Sequence, residues 1–293
     1  MEKNWTIIQL LNETQKYFEK KGIESARLDA EILLAFALNK DRIKLYIDFQ
    51  SPVNANELSI FREIVKRRAK REPVAYITGC KEFWSVNLKV TPDVLIPRPE
   101  TELIVEHTLK IINENYMEDQ KIFAADIGTG SGAISIALAK ECRNALIFSV
   151  DISIKALNVA KENIVSNGIE GKDLPVCADG FSAFKEIEIF DIILSNPPYV
   201  VKDDIKGLQP EISEYEPYIA LDGGDDGLNF YRDNMLCFCS FLKPGGFVLL
   251  EIGYDQGALV SGFFIDSNEF GQVSLIKDYS GKDRVIIARR KED

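Results

Sequence analysis

The sequence predicts an α/β protein: a doubly wound, mostly parallel sheet of seven strands, preceded by a small N-terminal helical domain and a β-hairpin linker. Three observations predict this. Beyond residue 121, short apolar runs alternate with amphipathic helical stretches. The first four of those runs close on a polar residue, Asp126, Asp151, Asp179 and Asn196, which lines one edge of a parallel sheet with polar side chains. The first 72 residues show helical spacing instead, and a Pro-rich, β-prone stretch separates the two textures.

In the helical domain, residues 1–72, the stretch 5–20 puts Ile8, Leu11, Gln15 and Phe18 on one stripe. Ser25 caps a second helix whose inward face is Leu28, Ile32, Leu33, Phe36 and Ala37. A short turn follows at residues 41–46. A long amphipathic helix starts near Asn56, turns Leu58, Phe61, Ile64 and Val65 inward, and ends in Lys66, Arg67, Arg68, Lys70 and Arg71. Cations there favour the helix dipole, and the run reads either as a solvated helix end or as a patch for a partner. Pro73 breaks the helix. Residues 74–90, VAYITG and then EFWSVNLKV, read as a hairpin, so the linker spans 73–98. Three prolines follow, Pro92, Pro97 and Pro99, the last at the entry of a helix over residues 100–115. In the sheet domain, residues 99–293, the strands are IFAADIG, ALIFSVD, LPVCAD, FDIILSN and GGFVLLEIG, with late segments at 273–278 and 284–289. Helices occupy 132–140, 153–166 with Ser153 as cap, and 226–242.

The composition, 46% hydrophobic and 28% charged over 293 residues, is that of a globular chain and argues against disorder or collagen. No apolar run approaches the roughly 20 residues of a membrane helix, and MEKNWTIIQLLNETQ lacks the basic-then-apolar pattern of a secretory leader. Five cysteines without a CxxC pair fit a reduced, cytoplasmic protein, and Cys237 and Cys239 read as core. With a single histidine, His107, which reads as a surface residue, no metal site is expected. Phe83 and Trp84 read as hairpin packing. The net charge of −11 is uneven: residues 1–100 hold 17 Lys and Arg against 14 Asp and Glu, and residues 101–293 hold 18 against 32. An acidic body argues against a large nucleic-acid footprint, which needs a basic face.

Two motifs carry chemistry. In Asp126-Ile-Gly-Thr-Gly-Ser-Gly132, between a strand and a helix, Gly128, Gly130 and Gly132 let backbone approach a ligand. Asp151, ending the next strand, offers a carboxylate to the two hydroxyls of a ribose. Together they indicate a nucleoside-containing cofactor without saying which; the spacing through Ala133 also meets the loose dinucleotide pattern. In Asn196-Pro197-Pro198-Tyr199, the prolines fix the backbone and remove two N–H donors. The remaining acceptors, the Asn196 side-chain oxygen and the Pro197 carbonyl, suit a planar NH2 group on an amide or a nucleobase, with Tyr199 able to stack on its plane.

DIGTGSG, Asp151 and NPPY together resemble class I, Rossmann-like methyltransferases that act on amino nitrogen. REPVAYITGCKEFWS, LIPRPETE, NPPYV, YEPYIALDGGDDGLNFYR, LLEIGYDQG and KDYSGKDRVIIARR resemble more closely the HemK/PrmC family, the peptide-chain release factor N5-glutamine methyltransferases, over about residues 70 to 290. The resemblance implies S-adenosyl-L-methionine as methyl donor and S-adenosyl-L-homocysteine as product. It implies a cofactor site of Asp126, Gly128, Thr129, Gly130, Ser131, Gly132, Asp151, Asp179, Gly180 and Asn196. The glycine loop holds the methionine part, Asp151 the ribose, and Asp179 and Gly180 lie by the adenine. Some relatives carry an aromatic where this chain has Gly180, and Phe181 stands next to it as a substitute. Asn196, Pro197, Pro198 and Tyr199 grip the glutamine of the Gly-Gly-Gln motif of a release factor, with Asn196 and Pro197 as the catalytic pair, and methylation there modulates translation termination. The partner is therefore a release factor, with no membrane and no sequence-specific nucleic acid. The helical domain is expected to recognise that partner. The segment 203–226, with eight carboxylates, reads either as a solvated loop or as part of the substrate mouth. Glutamine methylation of a ribosomal protein and N6-adenine methylation of nucleic acid are the alternatives; an adaptor would not need NPPY, and NPPY has no role in a dehydrogenase.

Overall fold

Five helices form at the N-terminus: α1 (Ile7–Lys20), α2 (Ala26–Ala37), α3 (Arg42–Ile47), α4 (Ala55–Ala69) and α5 (Val74–Thr78). The computed structural model describes residues 5–292; the first four residues, at the head of the stretch read for a leader, and Asp293 lie outside the described residues. These helices and residues 209–215 make one compact unit, and residues 81–208 with 216–293 make the other.

Several faces differ from the sequence reading. α1 buries Ile7, Leu10, Leu11, Thr14 and Phe18, a more apolar series than the expected one through Ile8 and Gln15. On α2, Leu28 and Phe36 are 44% and 47% exposed, although both were expected inward. Leu33 and Ala37 are buried as expected, while Ala26, Ala30 and Leu34 turn inward in place of Leu28 and Phe36. Ser25 does not cap by its side chain, because its hydroxyl donates to Asp29 Oδ1 at 2.8 Å. Residues 42–47 form a helix where a turn was expected. α4 starts as expected, with Asn54 and Glu57 forming a capping box. VAYIT is helix α5 rather than strand: burial of Tyr76 and Ile77 overrules the β-prone composition, and Gly79 at φ +71° ends the turn.

The cationic end of α4 is largely consumed within its own unit. Arg68 is buried and not part of an open patch. Its Nε lies 2.7 Å from Asp29 Oδ2 and its Nη2 2.8 Å from Glu211 Oε1. Arg71 pairs with the other Glu211 oxygen at 2.7 Å, and Arg67 with Glu72 at 2.5 Å. The Tyr215 hydroxyl donates to the Lys70 carbonyl. Segment 209–215, with helix α9 (Pro210–Ser213), is held by this clasp.

In the second unit, β1 (Cys80–Phe83) and β2 (Val86–Lys89) meet through a two-residue turn, Trp84 and Ser85, both at positive φ. Phe83, Val86 and Leu88 enter the core, so the hairpin packs as part of the sheet unit. A 3₁₀ turn at Pro99–Thr101 leads into α6 (Glu102–Asn115). Then follow β3 (Ile122–Ile127), α7 (Ala133–Glu141), β4 (Ala145–Asp151), α8 (Ile154–Ser166), β5 (Asp173–Cys177) and β6 (Phe190–Ser195). The chain closes with α10 (Asn229–Phe241), β7 (Leu242–Glu251), α11 (Gly257–Asp266), β8 (Phe270–Lys277) and β9 (Asp283–Arg290). The seven-stranded sheet runs β5-β4-β3-β6-β7-β9-β8, parallel except for β9, which is antiparallel to both its neighbours. β6 is buried on both faces, Ile192 and Leu194 in one cluster and Phe190 and Ile193 in the other. α11 was not anticipated, since its apolar run carries no clear period. β5 ends two residues before Asp179, which therefore sits in the following loop. Among the described residues no helix is long and apolar enough to cross a membrane.

The Arg68 ion pairs generate a test. Arg68→Met leaves Asp29 and Glu211 without their shared cation and should cost about 3–5 kcal/mol. Denaturant unfolding should show a lower midpoint; an unchanged midpoint would show that the clasp does not stabilise the chain.

Candidate active site

The four strands β5, β4, β3 and β6 are parallel, so their C-terminal ends meet at one edge, and a cavity of about 300 Å³ opens there. The loop after β3 forms its floor. Gly128 and Gly130 take positive φ, and a Cβ on either would meet nothing within 4 Å, so the backbone there is open to a ligand. Gly132 differs: a Cβ there would lie 2.9 Å from Ile136 and 3.5 Å from Ala160, so its role is packing. The Gly128 and Thr129 N–H groups donate to the Val150 carbonyl at 2.8 and 2.9 Å, which ties the loop to β4.

Asp151, at the end of β4, accepts the Gly130 N–H on Oδ2 and the Ser153 N–H on Oδ1, both at 2.8 Å. Burial pushes its carboxyl up, and the two N–H groups oppose that shift. Ser153 in turn caps α8 through Ala156 N. Asp126 lies behind the wall, fully buried, and accepts from Thr129 Oγ1 at 2.7 Å. Burial pushes its carboxyl up to about 7, with Asp173 nearby adding to the shift. Asp126 therefore braces the loop from below.

Asn196 follows β6, next to β3 in the sheet, and lines the same cavity. Its Nδ2 donates to Thr101 Oγ1 at 2.9 Å, Thr101 Oγ1 donates to Glu251 Oε2 at 2.6 Å, and the Tyr199 hydroxyl donates to Glu251 Oε1 at 3.2 Å. Gln256 Nε2 donates to the carbonyls of Tyr199 and Gly227. Val200 N–H donates to the Leu221 carbonyl, and Gly223 N–H to that of Val200. A Cβ on Gly227 would sit 2.6 Å from the Tyr199 oxygen, so the glycine is required where this loop crosses the NPPY exit.

Of the site residues expected from the sequence, Gly128, Thr129, Gly130, Ser131, Asp151, Asp179, Gly180, Asn196 and Pro198 line this one cavity. Asp126, Gly132, Pro197 and Tyr199 are not among its lining residues. The Tyr199 hydroxyl donates to Glu251 Oε1. Phe181 does not replace an aromatic at position 180: it is buried and stacks on Phe241 with ring centroids 4.8 Å apart. The aromatic in the wall is Phe230, with Ile152 and Ala178 as apolar lining. His107 is half-buried on α6 and does not line the cavity, and burial lowers its pKa. Phe83 is buried in the core of the sheet unit and Trp84 packs partly buried against it, a packing role as expected.

The roof takes Val94, Leu95 and Pro97 from the Pro-rich segment, which the sequence reading missed, and Pro217, Ile219 and Ala220 from the acidic stretch read either as a solvated loop or as part of the substrate mouth. An ion pair joins the two segments, Arg98 Nη2 to buried Glu216 Oε1 at 2.5 Å. Part of the acidic stretch thus lines the cavity while Glu211 belongs to the helical unit. Glu251 was missed too, although an acid closing the apolar run FVLL is a visible signal.

Comparison with known proteins follows the same division. Residues 9–79 match the PrmC N-terminal domain, and residues 101–210 match the methyltransferase small domain. The chain is similar to the release factor glutamine methyltransferase of Geobacter sulfurreducens, 42% identical over 97% of both chains. It is 36% identical to that of Moorella thermoacetica over 98% of this chain and 100% of the relative. Among solved structures it is similar to a methyltransferase from Pyrococcus furiosus, with TM-score 0.52 and 19% identity over 77% of this chain and 98% of that one. The hMettl16 catalytic domain bound to a MAT2A 3′UTR hairpin matches with TM-score 0.58 and 16% identity, covering 77% of this chain and 82% of that one. At such identities these two likenesses concern the fold alone.

Two variants test the geometry. Asp151→Ala should weaken S-adenosyl-L-homocysteine binding by about 1.5–3 kcal/mol, or roughly 10- to 150-fold in Kd. Unchanged affinity by titration calorimetry would remove Asp151 from the site. Asp126 ionises near about 4 when unfolded and near about 7 when folded. A group that binds its proton more tightly when folded adds stability at low pH, and that contribution is lost as pH rises from about 4 through about 7. Asp126→Asn mimics the protonated carboxyl and should flatten the fall of Tm across that window. Equal slopes for both proteins in a melt series would overturn the assignment.

Proposed function

The chain belongs to the release factor glutamine methyltransferase family, and we propose that it transfers a methyl group from S-adenosyl-L-methionine to the side-chain amide nitrogen of the glutamine in the Gly-Gly-Gln motif of a peptide-chain release factor. The observation that carries this reading is that one cavity holds both halves of such a reaction. The open glycine loop, Asp151 and Asn196, whose amide is tied down through Nδ2, all line it.

The residues present fit the donor. Gly128 and Gly130 leave room for a ligand against the backbone, and each Asp151 oxygen spends one acceptor site on an N–H and keeps others for ribose hydroxyls. Ile152, Ala178 and Phe230 offer apolar surface for a purine. The donor, when bound, supplies an electrophilic methyl on a sulfonium.

What the chain must supply is a nucleophile, because an amide nitrogen has its lone pair drawn into the carbonyl. The Asn196 oxygen accepts one N–H of the glutamine, and in this reading the Pro197 carbonyl accepts the other. Holding both N–H groups in acceptors favours a lone pair aimed away from them. The prolines keep those acceptors in place, so the amide enters an arrangement that is already built. Both Glu251 oxygens are engaged by Thr101 and Tyr199, so Glu251 supports the Asn196 end rather than taking a proton from the substrate.

A glutamine in a loop offers few contacts, and a second surface raises affinity by linkage. We place that surface on the helical unit. It supplies no residue to the cavity wall, and it exposes Phe36, Ile43, Tyr46, Ile47 and Phe49. The reaction belongs in the cytoplasm, where release factors act.

Incubating intact release factor with this protein and S-adenosyl-L-methionine should add one methyl to the loop glutamine, read by mass analysis of the peptide. A short peptide carrying the same sequence should show a higher KM than the intact factor. Asn196→Ala should cut turnover by roughly 10²- to 10³-fold and leave cofactor affinity within a few fold. Near-native turnover would refute the gripping role of Asn196, and absence of the methyl on intact factor would refute the substrate.

A further inference from the structure

The Asn196 amide has two ends of equal shape, only one of which accepts a hydrogen bond. For Asn196 to hold a substrate N–H, its oxygen must face the substrate. The shape of the NPPY turn does not enforce this; the polarity of the hydrogen bonds behind it does. A hydroxyl has a single proton. Thr101 gives its proton to Glu251 Oε2 at 2.6 Å, so its oxygen is left to accept, and Asn196 Nδ2 donates to it at 2.9 Å. The order of donors runs one way, from Asn196 through Thr101 to the carboxylate. Glu251 is 1% exposed, so its carboxyl depends on protein donors, and Thr101, 3% exposed, stands in the cavity wall between it and Asn196. The Tyr199 hydroxyl occupies the other carboxylate oxygen at 3.2 Å, and the Tyr231 hydroxyl donates to the Glu251 carbonyl at 2.8 Å.

We propose that Glu251 and Thr101 are positioning residues for methyl transfer: they orient the Asn196 amide so that its oxygen faces the substrate nitrogen. This rests on the gripping role of Asn196 given above. Without the carboxylate the Thr101 proton is free to point at Asn196, the amide turns, and an N–H is set against the N–H of the substrate. The placement suits the task. β7 lies inside the sheet between β6 and β9, so the carboxylate is carried on rigid backbone while the amide it directs sits on a loop. Burial pushes the Glu251 carboxyl up, and the Arg284 guanidinium opposes that shift while holding Asp278 and the Ile252 carbonyl.

Thr101→Val keeps the shape and removes the acceptor. With release factor as substrate, kcat should fall on the order of 10²-fold, while the Kd for S-adenosyl-L-homocysteine stays within about threefold and KM for the factor rises less than kcat falls. Thr101→Ser should restore turnover to within about threefold, because the hydroxyl returns. Glu251→Gln, which permits either order of donors, should lose roughly tenfold in kcat. If Val unfolds the chain in a thermal melt, Thr101→Cys replaces it, since a thiol is a poor acceptor of similar size. In the Asn196→Ala background, Thr101→Val should cost nothing more, because no amide is left to orient. Additive losses, or wild-type kcat in a folded Thr101→Val or Thr101→Cys protein, would overturn the positioning role while Asn196→Ala stays impaired. Full turnover in Asn196→Ala alone would instead strike the gripping reading on which it rests.

Discussion

A carboxyl group with 1% of its surface exposed must find its hydrogen-bond partners within the protein, and Glu251 draws three stretches of chain together for that reason. Thr101 comes from the Pro-rich entry to α6, Tyr199 from the exit of β6, and Glu251 itself from the end of β7. They are separated by about a hundred and then fifty residues of sequence, yet their polar atoms converge within hydrogen-bond distance. Moving any one of them leaves a buried carboxylate underpaired, so the position of the NPPY turn is coupled to the interior of the sheet. That coupling gives a loop residue, Asn196, the precision usual for residues on strands.

The rest of the cavity follows a similar logic of acids held by local donors. Asp151 is held by two backbone N–H groups, Asp126 by Thr129, and Glu216 by Arg98 and the Ile96 N–H. Each fixes a loop that carries no regular structure of its own. Burial raises the pKa at all three, so the site stores electrostatic cost in return for rigid walls. The chain also leaves the sheet unit after residue 208, makes a short passage through the helical unit, and returns at 216 beside the roof of the cavity. Glu211, gripped by Arg68 and Arg71, anchors that passage. The cations that looked like an open patch at the end of α4 are therefore partly structural.

Much of the architecture was legible from residue order. Alternating strands and helices beyond residue 121, the strand-end acids and the Asn-Pro-Pro-Tyr exit are local signals, because a strand must leave a parallel sheet at its end and glycine or proline must mark an unusual exit. Helix faces were less legible. Leu28 and Phe36 look like core residues by spacing, but Leu33 and Leu34 with the small Ala26, Ala30 and Ala37 hold the interior. VAYIT reads as strand by composition and folds as helix, since burial of Tyr76 and Ile77 outweighs a weak β preference.

The sequence by itself determined the α/β order, the nucleoside-type loop, the strand-end carboxylate and a rigid turn built from acceptors, because each is a property of neighbouring residues along the chain. Only the tertiary structure decided which members of those motifs meet the cavity. It set Asp126, Gly132, Pro197 and Tyr199 behind its lining, put Phe230 in the wall instead of Phe181, and brought in a roof from segments around Pro97 and Pro217. It also decided which end of the Asn196 amide is free, since that depends on a proton given by Thr101 to a carboxylate 150 residues away in sequence. Hydrogen-bond polarity passes between residues that touch in space, and no local pattern of residue types records it.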